Sequence, residues 1–166
     1  MEEAYEKKLI LITTIIILII SSIFLYKYKE ENNLKLKNYA LKVLNIANDI
    51  NQSAKIIKYQ SKPEEYDIFK QQIITDLNSL GAALHTGSTL ISGKQINDNK
   101  IRIYTEKLYS ELQYDNISPE INDILDNIIN ATDVLVENFE KCYSNDSNIT
   151  RQEILNSIQT SLNYIL

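Results

Sequence analysis

Seventeen consecutive residues, Leu9 to Leu25 (LILITTIIILIISSIFL), carry no charge, and nothing else in the 166-residue chain resembles this run. As a helix it covers about 26 Å, slightly less than the roughly 30 Å hydrocarbon core of a bilayer. Its polar members, Thr13, Thr14, Ser21 and Ser22, have small hydroxyls that can bond back to their own helix, so they do not disqualify a span. Tyr5, Tyr26 and Tyr28 stand where interfacial aromatics belong, and Lys7, Lys8, Lys27 and Lys29 can extend their amines into the headgroups. The run predicts a transmembrane helix over residues 9–26, a short N-terminal tail over 1–8 and a separate domain over 27–166.

A cleavable signal peptide also begins with Lys and an apolar stretch, but it ends in a small-x-small site. The nearest candidate reads Ile20-Ser21-Ser22, and no Cys follows that could carry a lipid. The segment is therefore read as a retained signal-anchor of bacterial type. Two rules disagree about its direction. Lys7 and Lys8 ahead of the run leave the C-terminal domain outside the cytoplasm, whereas Lys27, Lys29, Lys35, Lys37 and Lys42 after it favour the cytoplasmic side. The signal-anchor pattern is given precedence, which predicts a single-pass protein of the cell membrane with an extracytoplasmic domain.

Three Gly and two Pro leave little material for a loop-rich β-sandwich or a glycine-loop nucleotide site. One Cys and one His exclude an intramolecular disulfide framework and argue against a Cys/His zinc site. A net charge of −5 is a poor basis for neutralising nucleic-acid phosphates. The predicted class is all-α: an antiparallel bundle of four to five helices after the span.

Helical periodicity supports this. A first helix over about Glu30–Gln60 carries Leu36, Ala40, Val43, Ala47, Ile50, Ala54 and Ile57 at alternating spacings of four and three, a heptad seam whose alanines recur every seven residues. A second opens at Ser61-Lys-Pro-Glu64, a capping box with proline in the first turn, and ends near Gly93. It offers Tyr66, Phe69, Ile73, Leu77, Leu80 and Leu84. A third covers about Asp98–Tyr114. A fourth, from Ser118-Pro119 to about Tyr143, has a second seam of Ile121, Leu125, Ile128, Thr132, Leu135, Phe139 and Cys142. After the loop SNDSN at 144–148, Thr150-Arg-Gln-Glu153 forms another capping box before a last helix with Leu155, Ile158, Leu162 and Ile165. The alanine seam, Ala40, Ala47 and Ala54, suits close packing by a large-residue neighbour inside one chain; the competing reading is an intermolecular coiled coil.

Candidates for chemistry are few. His85 has no nucleophile motif around it, Cys142 falls on an apolar seam where a thiol acts as a small hydrophobe, and no phosphate, calcium or dinucleotide motif occurs. No residue is assigned a catalytic, cofactor-binding or metal role. Charge is more informative: residues 35–62 carry +5 and residues 63–166 carry −9. The basic segment can meet lipid headgroups or the acidic helices of its own domain. On the fourth helix an acidic stripe that includes Asp126, Asp133, Glu137 and Glu140 runs about 200° from the apolar seam, as a solvated face or a docking surface for a basic partner. The functional expectation is a membrane-anchored, non-enzymatic interaction or scaffold module whose partner is another protein or its own copy. A ligand-sensing ectodomain acting through a partner membrane protein is the alternative, and a hydrolase around His85 or an acid pair (Glu30-Glu31, Glu64-Glu65, Asp123 with Asp126, Glu137 with Glu140) stands behind both.

Overall fold

A computed structural model of the chain describes residues 2–59, 62–91, 98–113, 118–144 and 148–165. Within them lie five α-helices and no strand: α1 (Glu2–Tyr59), α2 (Tyr66–Ile91), α3 (Asn99–Glu111), α4 (Pro119–Phe139) and α5 (Arg151–Tyr164). Short 3₁₀ turns occupy Pro63–Glu65 and Glu140–Tyr143. Ser61, Gly93, Tyr114 and residues 145–147, each given a role in the sequence reading, lie outside the described residues, as do the side chains of Tyr5, Lys7, Lys8 and Pro63. The chain divides into two compact units, Met1–Lys35 and Leu36–Leu166.

In the first unit α1 presents apolar side chains on every side. From Ile10 to Leu25 its large hydrophobic residues are 46–70% exposed. Among the described residues α1 is the one helix long and apolar enough to cross a membrane, by a stretch near the N-terminus. Two of its hydroxyls bond back to the helix: Thr14 donates to the Ile10 carbonyl (2.9 Å) and Ser22 to that of Leu18 (2.8 Å). The backbone of the stretch is satisfied by its own helix.

The second unit buries its apolar residues. All seven seam residues of α1 lie in the core, with Ala40, Val43, Ala47, Ile50 and Ala54 at 0% exposure. Ile121, Leu125, Ile128, Thr132, Leu135, Phe139 and Cys142 are buried as well. Helix α4 is covered over a wider arc than that seam, since Ile124, Ile129 and Ala131 are also buried. In α5 the core residues are Ile154, Ile158 and Leu162, with Leu155 half-buried beside them. Ser161 completes the line by donating to the Ala131 carbonyl of α4 at 2.7 Å.

Local signals set the helix ends. Ser118 caps α4 by accepting from the Ile121 amide at 3.2 Å, with Pro119 in the first turn, where a missing N–H is harmless. Thr150 and Glu153 form a reciprocal capping box at α5. The Glu153 carboxylate accepts from Lys141 (2.6 Å), from the Thr150 amide (2.7 Å) and from the Thr150 hydroxyl (2.7 Å). The capping box expected at Ser61-Lys-Pro-Glu64 rests on Ser61, outside the described residues; Pro63–Glu65 form a 3₁₀ turn, closed by the Glu65 amide donating to the Lys62 carbonyl, and the α-helical part of the second helix begins at Tyr66.

One contact is unusually close. A Cβ placed on Gly87 of α2 would overlap Cε2 and Cζ of Tyr39, so the α1 tyrosine ring occupies the space a side chain would need. The Tyr39 hydroxyl is buried with no hydrogen-bond partner among the described residues, and burial pushes the phenol above its ordinary value.

Two predictions follow from these details. Gly87→Ala forces a rigid ring aside and is expected to cost about 1–3 kcal/mol or more by overpacking. Tyr39→Phe removes an unpaired buried hydroxyl and should leave stability unchanged or raise it by about 1 kcal/mol. Chemical unfolding of the detergent-solubilised chain checks both, and equal destabilisation by the two variants would contradict the geometry. The second prediction concerns acid. Hydrogen bonds from Lys141, then from the amide and hydroxyl of Thr150, lower the Glu153 carboxyl from 4.5 to about 2. Its contribution is thus complete above about pH 4.5 and is lost as pH falls toward about 2. Thermal melts of Glu153→Gln should depend less on pH across that window than those of the parent.

Candidate interaction surfaces

Every seventh residue of α1 beside the alanine seam, Lys37, Leu44, Asn51 and Lys58, lies on one flank of the helix. Three of the four make polar contacts with the α4 region. Lys37 donates to the Ser144 carbonyl at 2.6 Å. The buried Asn51 amide donates to Thr132 Oγ1 (2.8 Å) and to Asp133 Oδ1 (3.0 Å), and Lys58 pairs with Asp126. Lys55, one turn before Lys58, adds a 3.0 Å bond to the same Asp133 oxygen, and Asn45 accepts from the Tyr143 hydroxyl at 2.9 Å. The partners descend in number, 144, 143, 133, 126, as the α1 residues ascend.

This ladder divides the acidic stripe. Asp126 and Asp133 are half-buried and turned toward the α1 lysines, whereas Glu137 and Glu140 are exposed. A 200° offset from one seam therefore does not put all four carboxylates in solvent. Helix α4 is covered over a broad arc, and α1 reaches the edge of it. Part of the basic segment has accordingly found acidic partners within its own unit.

Between α2 and α3 lies an open groove of about 460 Å³ lined by Ile74, Asn78, Arg102, Thr105, Glu106 and Tyr109. Its rim carries an Arg102–Glu106 pair at 3.0 Å, and the Thr105 hydroxyl in its floor is used on the Ile101 carbonyl. At one end of α2 the Lys70 side chain is only 2% exposed, its amine 3.2 Å from the Glu111 carbonyl in the last turn of α3 and 3.7 Å from Asp67. A cation at the carboxyl end of a helix meets both the unsatisfied carbonyls and the negative end of the dipole.

Lys70 was overlooked in the sequence because it is charged, although it fits the heptad line better than Phe69: Tyr66, Lys70, Ile73, Leu77, Leu80 and Leu84 are spaced four, three, four, three, four. Asn51 was missed because it stands one residue beyond the apolar seam. Its sevenfold spacing from Leu44 and Lys58 was the available signal.

The residues considered for chemistry are placed apart. His85 is exposed on α2, and its carbonyl accepts from Ser88 at 2.7 Å. Cys142 is 1% exposed, and burial raises its thiol above the ordinary value against the weaker pull of Lys141 and Lys37, which disfavours the reactive thiolate. Among the described residues no group of three or more His, Cys, Asp or Glu side chains could hold a metal ion. No protein-family model matches this chain, and neither the curated proteins nor the solved structures contain a match.

The divided stripe yields a contrast. Asp126→Ala with Asp133→Ala removes acceptors from Lys58, Lys55 and buried Asn51 and is expected to cost about 1–3 kcal/mol. Glu137→Gln with Glu140→Gln should stay within about 0.5 kcal/mol. Denaturant midpoints of the two double variants make the comparison, and equal losses would contradict the ladder.

Proposed function

We propose that the protein is a single-pass, membrane-anchored helical interaction module without enzymatic activity, its second unit an antiparallel helical bundle presented outside the cytoplasm. The observation that carries the reading is the opposite disposition of apolar surface in the two units. From Ile10 to Leu25 the apolar side chains face outward on all sides, while the second unit closes its own core. A stretch apolar all round needs lipid or another apolar cover. The reversed order of α1 and α4 partners supports opposite helix directions. With Asp126 and Asp133 engaged by α1, Glu137 and Glu140 are the part of the stripe left to meet a basic partner, either another protein or a second copy of the chain.

A second reading, a ligand-sensing ectodomain that signals through a partner membrane protein, is favoured by the α2–α3 groove. Its volume of about 460 Å³ falls in the range of small-molecule sites.

Topology is tested with one introduced thiol. In a Cys142→Ser background, Gln159→Cys places a thiol on the exposed side of α5. It should react with a membrane-impermeant maleimide on intact cells; reaction only after lysis would move the domain to the cytoplasm. Docking is tested by crosslinking in native membranes at two ionic strengths. Glu137→Gln with Glu140→Gln should lose a specific partner at low salt, because rim charges set association rate and salt dependence. Identical partner sets for parent and variant would leave these carboxylates as solvated surface.

A further inference from the structure

Of the α1 lysines whose side chains are described, four are engaged within the chain, and Lys42 stands exposed on the second unit. Lys35 pairs with Glu31 at 2.7 Å, Lys37 bonds the Ser144 carbonyl, and Lys55 and Lys58 are held by α4 carboxylates. Lys27 and Lys29 belong to the first unit, immediately after the apolar stretch, and neither has an ion pair or hydrogen bond through its amine among the described residues. They alternate with Tyr26 and Tyr28, whose side chains are 69% and 71% exposed.

Four consecutive helical residues complete about one turn, at about 100° each. The two tyrosines therefore stand about 200° apart, the two lysines likewise, all within about 4.5 Å along the axis. The result is a ring around the whole helix. A helix that lies flat in the interface gathers its cations on one face. A ring fixes depth and selects no face.

We propose that Tyr26–Lys29 is a collar for the headgroups of anionic phospholipids, an inference that rests on reading α1 as a retained membrane span. The tyrosine ring has an apolar body and a polar tip, which suits the boundary between acyl chains and headgroups. The lysine amines reach outward on flexible stems to phosphate. A zwitterionic headgroup carries its own ammonium next to the phosphate, so the excess attraction of a lysine is for lipids of net negative charge. Glu30 and Glu31 set the outer limit of the collar, and the Glu31 carboxylate is already bound by Lys35.

The test uses the full chain reconstituted in phosphatidylcholine vesicles containing phosphatidylglycerol. Spin-labelled versions of each lipid report which is enriched around the protein. The parent should enrich phosphatidylglycerol over phosphatidylcholine, and Lys27→Gln with Lys29→Gln should reduce that enrichment, by up to about 25-fold at about fivefold for each of the two lysines. Lys42→Gln, ten residues or more beyond the collar, should leave it unchanged. Equal enrichment in the parent and the collar variant, or an equal fall with Lys42→Gln, would overturn the collar. Flotation after a carbonate wash reports insertion separately: an inserted chain without lipid preference defeats the collar alone, and a chain that fails to insert defeats the anchor reading together with the collar.

Discussion

Close approach along the alanine line of α1 is the constraint on which the second unit depends. Ala40, Ala47 and Ala54 are fully buried, with Val43 and Ile50 equally buried between them. A methyl group every seven residues lets neighbouring elements come nearer than leucine would, and the three alanines share one buried core with Leu84, Leu125, Ile128 and Phe139. Such a surface is smooth and, taken alone, would tolerate sliding. The flanking ladder prevents it: Asn51 must meet Thr132 and Asp133, and Lys58 must meet Asp126. A polar group buried out of register loses its partner and costs more than the bond contributes when formed, so the ladder specifies position more than it adds stability.

Helix α1 obeys two burial rules along one element. From Ile10 to Leu25 its large side chains are apolar at every angle. From Leu36 onward the apolar residues narrow to a stripe, with polar and charged side chains such as Lys42, Asn45 and Asp49 exposed. An all-round apolar surface suits lipid and a stripe suits a protein core in water. Between the two patterns lie the Tyr and Lys residues that lipid-water boundaries favour. The shift from an all-round apolar surface to a single stripe is thus written in the angular distribution of hydrophobicity along one helix.

What was legible in the sequence was whatever a few neighbouring residues determine. The Thr150–Glu153 box, the Ser118 cap and both long seams follow from spacing within one helix. That Pro63–Glu65 takes the 3₁₀ form was not legible, because these residues suit a tighter turn as well as an α-helical one. Features requiring two distant segments were not visible: the Tyr39 ring against Gly87, the Lys70 amine at the end of α3, and the division of the acidic stripe by α1. In α5 the core takes Ile154, with Leu155 only half-buried beside it, and Ser161 bonds the Ala131 carbonyl thirty residues away in sequence. The site residues were therefore identifiable as a stripe and a seam, but which of them are engaged internally could be learned only from the fold.

The most direct measurement is the unfolding free energy of Ala47→Leu in the full chain, solubilised in detergent, alongside its association state. Three added heavy atoms have no space on a fully buried line. A loss of about 1–3 kcal/mol with unchanged association is expected for an alanine seam that serves the core of a single chain. An unchanged unfolding midpoint with altered association would contradict it and place the seam between chains.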